Sequence, residues 1–259
     1  MPGPRTLAVA IALACVSRLA PASTTAVEIT DMWWNPAEPG WGMNVVLQNN
    51  IVFATFFVYD ANQNATWYTA QLTKQLGNTW NGPLYATKGP WFGGAFPANS
   101  VTVKQAGTAT FALSDINHAN LAYSVDAVNV TKAVERQTWT IENYSGQYAG
   151  GFSISLTDCD PASYEGVQEL SGSMTVAHSG PDFQVQVISG DGACTFTGTY
   201  TQGGRLGGVS GIYNCADDTQ GTFQMSELIP SLNGFHGSMT GQNQYCTWSG
   251  YVGGITHAN

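Results

Sequence analysis

Between residues 151 and 253, eight segments recur at even spacing: 151–156, 170–177, 182–189, 194–201, 206–215, 221–228, 234–241 and 246–253. Gly-, Asp- and Asn-rich stretches separate them. Apolar and polar side chains alternate along most of them, the period of a strand with one buried face, and no 12-residue window carries a helical stripe. Short strands joined by tight turns build an antiparallel sheet, and even spacing through eight of them predicts an up-and-down barrel. Residues 194–200 echo 246–251, and 172–175 echo 237–240, but these repeats are too short for a solenoid period.

One turn sets a register. Gly204-Arg205 has Gly in the first position, as a type II′ hairpin requires. A two-residue loop there pairs residues whose numbers sum to 409, setting Cys194 opposite Cys215, Phe196 opposite Tyr213, Gly198 opposite Gly211 and Tyr200 opposite Val209. These share one face, and Thr195, Thr197 and Thr199 take the other. Counted from the 203:206 pair, 194:215 falls at a non-hydrogen-bonded site with Cα atoms about 4.5 Å apart, within disulfide reach. Closure of the barrel would bring the end of its first strand, near Cys159, beside the start of its last, at Cys246. Four cysteines allow three pairings, and this register favours Cys194–Cys215 with Cys159–Cys246. The second bond closes a long loop, worth roughly 4–5 kcal/mol in the chain-entropy model. Phe196, Tyr200 and Tyr213 either line a cavity, with Gly198 and Gly211 leaving room, or the glycines only relieve strand curvature.

Residues 27–141 contain no cysteine and are Trp-rich. Trp41, Met43, Val45 and Leu47 alternate with Gly42, Asn44 and Val46. Residues 52–59 are apolar on both faces, as a central strand would be, residues 60–64 are a turn by composition, and residues 66–72 return. Further strands are expected at 79–86, 100–104, 108–113, 120–126 and 134–141, making about eight, the number of a small closed barrel or a sandwich. The fold expected is therefore all-β: two consecutive antiparallel barrels, or barrel-like sandwiches, over 27–141 and 150–256.

Residues 1–22 read as a secretory signal peptide, with Arg5 as the positive flank, an apolar run over 7–16 and Ala20-Pro21-Ala22 as a cleavage site. A lipoprotein anchor through Cys15 is the lesser alternative, because the position three residues before it is Ala rather than a larger aliphatic. No later segment reaches a transmembrane length. Without residues 1–22, Arg5 and Arg18 go and no acid does, so six basic and 17 acidic residues remain, a net charge of −11. Such a surface repels phosphate backbones and anionic membranes. Nucleic acid is excluded as a partner, while uncharged and cationic ligands stay open. With Cys15 removed, four cysteines remain, an even set that favours two disulfides and a secreted or periplasmic location.

Trp33-Trp34-Asn35-Pro36-Ala37-Glu38-Pro39-Gly40-Trp41-Gly42, with Phe53 to Asp60 and Thr66-Trp67-Tyr68 behind it, resembles a domain recurring in exported proteobacterial proteins of unassigned function. The resemblance covers the first half and carries no catalytic residues with it. A looser likeness to avidin- and lipocalin-type barrels rests on architecture alone.

The chain has no G-x-S-x-G, no H-E-x-x-H and no C-x-x-C, so the common hydrolase and zinc signatures are missing. His118, His178, His236 and His257 stand singly, as surface or hairpin residues rather than bases. Asp158, Asp160, Asp217 and Asp218 read as turn residues, although they could join a calcium site across space. Trp33, Trp34, Trp67, Tyr68 and Glu38 are the candidate ligand-binding residues: aromatics as a stacking platform, the acid as a polar anchor or as a cap on turn N–H groups. The function expected is non-catalytic binding of an uncharged or weakly polar small molecule, with glycan as one candidate and no cofactor or metal. A structural or surface-interaction module is the alternative, and a secreted enzyme with an unrecognised site a third. The oligomeric state is not encoded in any feature of the chain.

Non-reducing peptide mapping should find Cys194 joined to Cys215 and Cys159 to Cys246; a peptide joining Cys159 to Cys194 or Cys215 would contradict the register.

Overall fold

The computed structural model describes residues 27–190 and 192–256. The signal peptide, the Cys15 alternative and His257 fall outside them. Two closed, eight-stranded antiparallel barrels follow one another. The first comprises β1 (Asp31–Trp34), β2 (Gly42–Gln48), β3 (Ile51–Tyr59), β4 (Ala65–Lys74), β5 (Thr79–Lys88), β6 (Thr102–Leu113), β7 (His118–Val125) and β8 (Val128–Arg136). The second comprises β9 (Gly146–Thr157), β10 (Gly166–Ser179), β11 (Asp182–Ser189), β12 (Gly192–Gly203), β13 (Leu206–Cys215), β14 (Gln220–Ser231), β15 (Gly234–Asn243) and β16 (Thr247–Thr256). Each strand pairs with its neighbours in sequence, and the barrels close through β1–β8 and β9–β16.

The expected number of strands in the first half is met by a different set. β1 runs into the start of the tryptophan motif, ending at Trp34, where no strand is expected. Residues 100–104 and 108–113 are not two strands, because Thr102–Leu113 runs as one. Leu84 pairs with Gly107 and Tyr85 with Gln105, so Ala106 is an extra residue on β6, a bulge that breaks the alternation. In place of the strand expected at 134–141, β8 runs from Val128 to Arg136, where the chain leaves the sheet.

β3 is not buried on both faces. Val52, Ala54 and Phe56 fill the interior, while Ile51, Phe53, Phe57 and Tyr59 are exposed. A barrel wall has solvent on its outer side, so its apolar outer residues have no layer to cover them. Inside, Trp33, Trp80, Phe56 and Phe111 are fully buried, with Trp33 edge-on to Phe111 at 4.9 Å.

In the second barrel the turn arithmetic holds. Gly203 pairs with Leu206 and Cys194 with Cys215, and Gly204 takes φ +58°, the left-handed value a II′ turn needs. Cys194–Cys215 and Cys159–Cys246 are both formed, with Cα separations of 4.0 and 4.2 Å. Thr157 pairs with Thr247, so the second bond staples the β9–β16 seam. Gly198 and Gly211 face each other where the two backbones approach: a Cβ on Gly211 would lie 2.5 Å from the Gly198 Cα. Close approach of the two backbones, not cavity space, is what that pair of glycines serves.

The barrels meet through the Asp31 carboxylate, which a buried guanidinium of its own barrel holds in place. Arg136 donates Nη1–H to Asp31 Oδ2 at 3.0 Å, Nε–H to the Ile116 carbonyl at 2.8 Å and Nη2–H to the Glu28 carbonyl. Its guanidinium also lies 4.8 Å from the centroid of Trp33. Burial pulls its pKa down and Asp31 pushes it back up. Asp31 Oδ2 accepts a third-party bond from the Arg205 N–H of the second barrel's turn, at 3.0 Å. Around it, Arg205 pairs with Glu28 at 3.2 Å and Gly204 N–H donates to Thr138 Oγ1 at 2.8 Å. Removing one partner of such a pair strands the other charge in a dry site. Arg136→Met should therefore lower stability by about 3–5 kcal/mol, read as a fall in the urea midpoint; an unchanged midpoint would show that the ion pair does not hold the junction.

Candidate functional site

The two ends of the second barrel are built differently. At the end nearest the first barrel, Tyr144 drops from the linker into the barrel and donates its O–H to the Leu228 carbonyl at 2.9 Å. His178, Phe183, Tyr200 and Phe235 surround its ring at 5.6–6.1 Å. His178 is no surface residue: it is buried here, its Nδ1 accepting the Tyr144 N–H and its Nε2 beside the Gly180 carbonyl. This aromatic plug is fully packed. Burial pushes the Tyr200 phenol up to about 12 and that of Tyr144 higher still, so both stay protonated hydrogen-bonding groups.

The opposite end is hollow. A half-open cavity of about 520 Å³ lies there, within the range of small-molecule sites. Phe152, Phe196, Tyr213, Met239 and Trp248 form its apolar lining. Tyr213 stacks on Phe196 at 5.4 Å, and Phe152 meets Phe196 edge-on at 5.5 Å. The buried Trp248 donates its indole N–H to Tyr213 Oη at 3.3 Å, which fixes both rings. Gln168, Asp217, Thr219 and Asn243 supply the polar edge; Glu169 turns its carboxylate to the outer wall, where it accepts the Ser153 hydroxyl at 3.1 Å. Both disulfides sit at this end, with Cys194 and Cys215 in the cavity wall.

Phe196 and Tyr213, expected as cavity residues, are in this wall. Tyr200 is not, because it belongs to the plug at the far end. Sequence reasoning missed Phe152, Met239 and Trp248, which reach the cavity from β9, β15 and β16. The signal that could have found them is the predicted β9–β16 closure, which brings the first and last strands side by side.

The candidate residues of the first half are not gathered into one site. Trp33 is fully buried, its indole N–H donated to the Ile29 carbonyl at 3.0 Å, so it is core and offers no face to a ligand. Trp34 is partly buried, with an indole nitrogen that is enclosed and unpartnered. Tyr68 packs against the barrel interior. Trp67 alone of the group is exposed, across from Phe57 on the outer wall. With Phe57, Tyr59 and Gly40 it borders a shallow groove of about 220 Å³.

Glu38 is neither a turn cap nor an open anchor. Its carboxylate takes Lys132 Nζ at 2.6 Å and the Trp41 indole N–H at 3.0 Å, while Asn35 accepts the turn's N–H groups from Ala37 and Glu38. Lys132, on β8, carries no sequence signal of this role. Burial raises the nearby Tyr123 phenol.

No family model, no curated protein and no solved structure matches this chain. Among the described residues, no helix is long and apolar enough to cross a membrane.

Hydrogen bonding from Lys132, then from Trp41, holds the Glu38 carboxyl below the usual carboxylate range. The folded state thus binds that proton less readily than the unfolded chain. The bracket's contribution is complete above the ordinary carboxylate pKa and is lost as pH falls through the lowered value. In Lys132→Ala, carboxyl-carbon NMR should show the Glu38 titration midpoint moving up; a midpoint that stays put would rule out the bracket.

Proposed function

We propose that this chain is an exported, non-catalytic binding protein that holds a small molecule with an apolar body in the mouth of its second barrel. The observation that carries the reading is the cavity of about 520 Å³, floored by aromatic rings and left open at one end while the other is plugged. Rigid aromatic walls give contact area at little entropic cost, and Tyr213, whose oxygen accepts the Trp248 N–H, keeps its own proton to donate. Two disulfides at the mouth support preorganisation and fit an oxidising compartment. The signal-like residues 1–22 and the resemblance of the tryptophan motif to exported domains support export.

A second reading follows from the outer groove of the first barrel. Phe57, Tyr59 and Trp67 present exposed rings of the kind that stack on a sugar face. That groove is smaller, about 220 Å³ against about 520 Å³, so it ranks behind the cavity.

The uncharged apolar dye N-phenyl-1-naphthylamine separates the two. Its emission should rise on binding, Leu170→Trp should fill the mouth and weaken binding by about tenfold or more, a change of ~1.4 kcal/mol, and Trp67→Ala should leave binding unchanged. Loss on Trp67→Ala alone would place the ligand on the outer wall, and no enhancement by the folded parent would remove the cavity reading.

A further inference from the structure

The net negative charge is not spread evenly over the chain, and where it collects bears on the cavity. From 137 to 256 the sequence contains a single Lys or Arg, Arg205. That residue sits in the β12–β13 turn at the plugged end, paired with Glu28 at 3.2 Å. His178 and His236 also lie towards that end, on the C-terminal part of β10 and the N-terminal part of β15. Glu142, Asp182 and Glu227 lie at the plugged end too, but the loops around the open mouth carry more acid and no Lys or Arg. Asp158, Asp160 and Glu165 lie on or beside the β9–β10 loop and Asp217 and Asp218 on the β13–β14 loop, and Glu169 follows near the start of β10. Among the described residues no cationic side chain lies at that end to offset them. Asp217 itself borders the cavity, while Glu169 turns its carboxylate to the outer wall and accepts the Ser153 hydroxyl at 3.1 Å.

Aromatic walls alone would accept a neutral body. Here they combine with the unneutralised Asp217 carboxylate at a rim whose loops carry only acidic charges, and the ring faces of Trp248, Tyr213 and Phe196 are the surfaces to which a desolvated ammonium is attracted. A cleft lined by one sign of charge also concentrates counter-ions of the other and rejects its own. Resting on the binding reading above, we infer that the ligand of this cavity is an amphiphilic cation: an apolar body seated on Phe152, Phe196 and Met239, with an ammonium-type head near Asp217. The surplus acid over the whole chain left cationic ligands open, and the local distribution selects them.

Three octyl compounds with different heads test this on the disulfide-bonded protein by isothermal titration calorimetry, each below its micellar concentration. Octyltrimethylammonium should bind about tenfold or more tightly than octyl glucoside, on the order of a desolvated cation–π contact, and octyl sulfate should bind weakest. The preference for the cation should shrink as salt rises. In the double variant Asp217→Asn, Asp218→Asn it should fall to near parity with the glucoside, whose own affinity should hold. That unchanged glucoside affinity shows the variant cavity is intact. If the cation and the glucoside bind alike in the parent, or the double variant keeps the preference, the cationic assignment is wrong and the cavity reading stands. If none of the three binds the parent, both fall.

Discussion

A sheet of eight strands closed on itself encloses an interior of nearly fixed width, and everything distinctive here follows from how each barrel fills that space. In the first, Trp33, Trp80, Phe56 and Phe111 reach the axis and pack it. In the second, the linker contributes Tyr144 to one end, and its ring gathers His178, Phe183, Tyr200 and Phe235 into a plug. Among the described residues, no equivalent ring from outside the strands enters the other end. The strands there face a space of about 520 Å³ that their own side chains line without filling.

A hollow barrel end forgoes the packing that would otherwise hold its strands, and covalent bonds stand in that position. Cys194–Cys215 ties β12 to β13 in the cavity wall, and Cys159–Cys246 ties the loops that flank the closing seam. The plugged end relies on the junction with the first barrel, where Asp31 joins the Arg136 guanidinium of its own barrel to the Arg205 N–H of the next. Gly204 is needed at that contact, since a Cβ there would stand 2.1 Å from Asp31 Oδ2. The type II′ turn that sets the β12–β13 register is therefore also the part that docks the barrels. One end is secured by packing and an ion pair, the other by disulfides.

Much of this was legible in the chain because strand periodicity and turn chemistry are local. Gly204-Arg205 alone gave the β12–β13 pairing and one disulfide, and barrel closure gave the other. β1 was hidden because Asp-Met-Trp-Trp does not alternate and runs straight into a Pro- and Gly-rich turn. β6 read as two strands because the bulge at Ala106 interrupts its period. The site was half legible for the same reason. Phe196 and Tyr213 share a hairpin, so local register shows them side by side, but Phe152, Met239 and Trp248 join them only across the closed barrel. The weight placed on Trp33 followed from composition, which counts tryptophans without telling core from surface. Lys132 meets Glu38 from 94 positions away, a separation that no motif spans.

The central claim is that one barrel is packed and the other is hollow at its disulfide-bound end, and xenon tests it most directly, since the gas occupies apolar voids without needing a chosen ligand. In crystals held under xenon pressure, the gas should bind against Phe196, Tyr213, Met239 and Trp248 in the second barrel, with the interior of the first left free of it. A second barrel that takes up no xenon, with those rings collapsed together across its mouth, would contradict the claim.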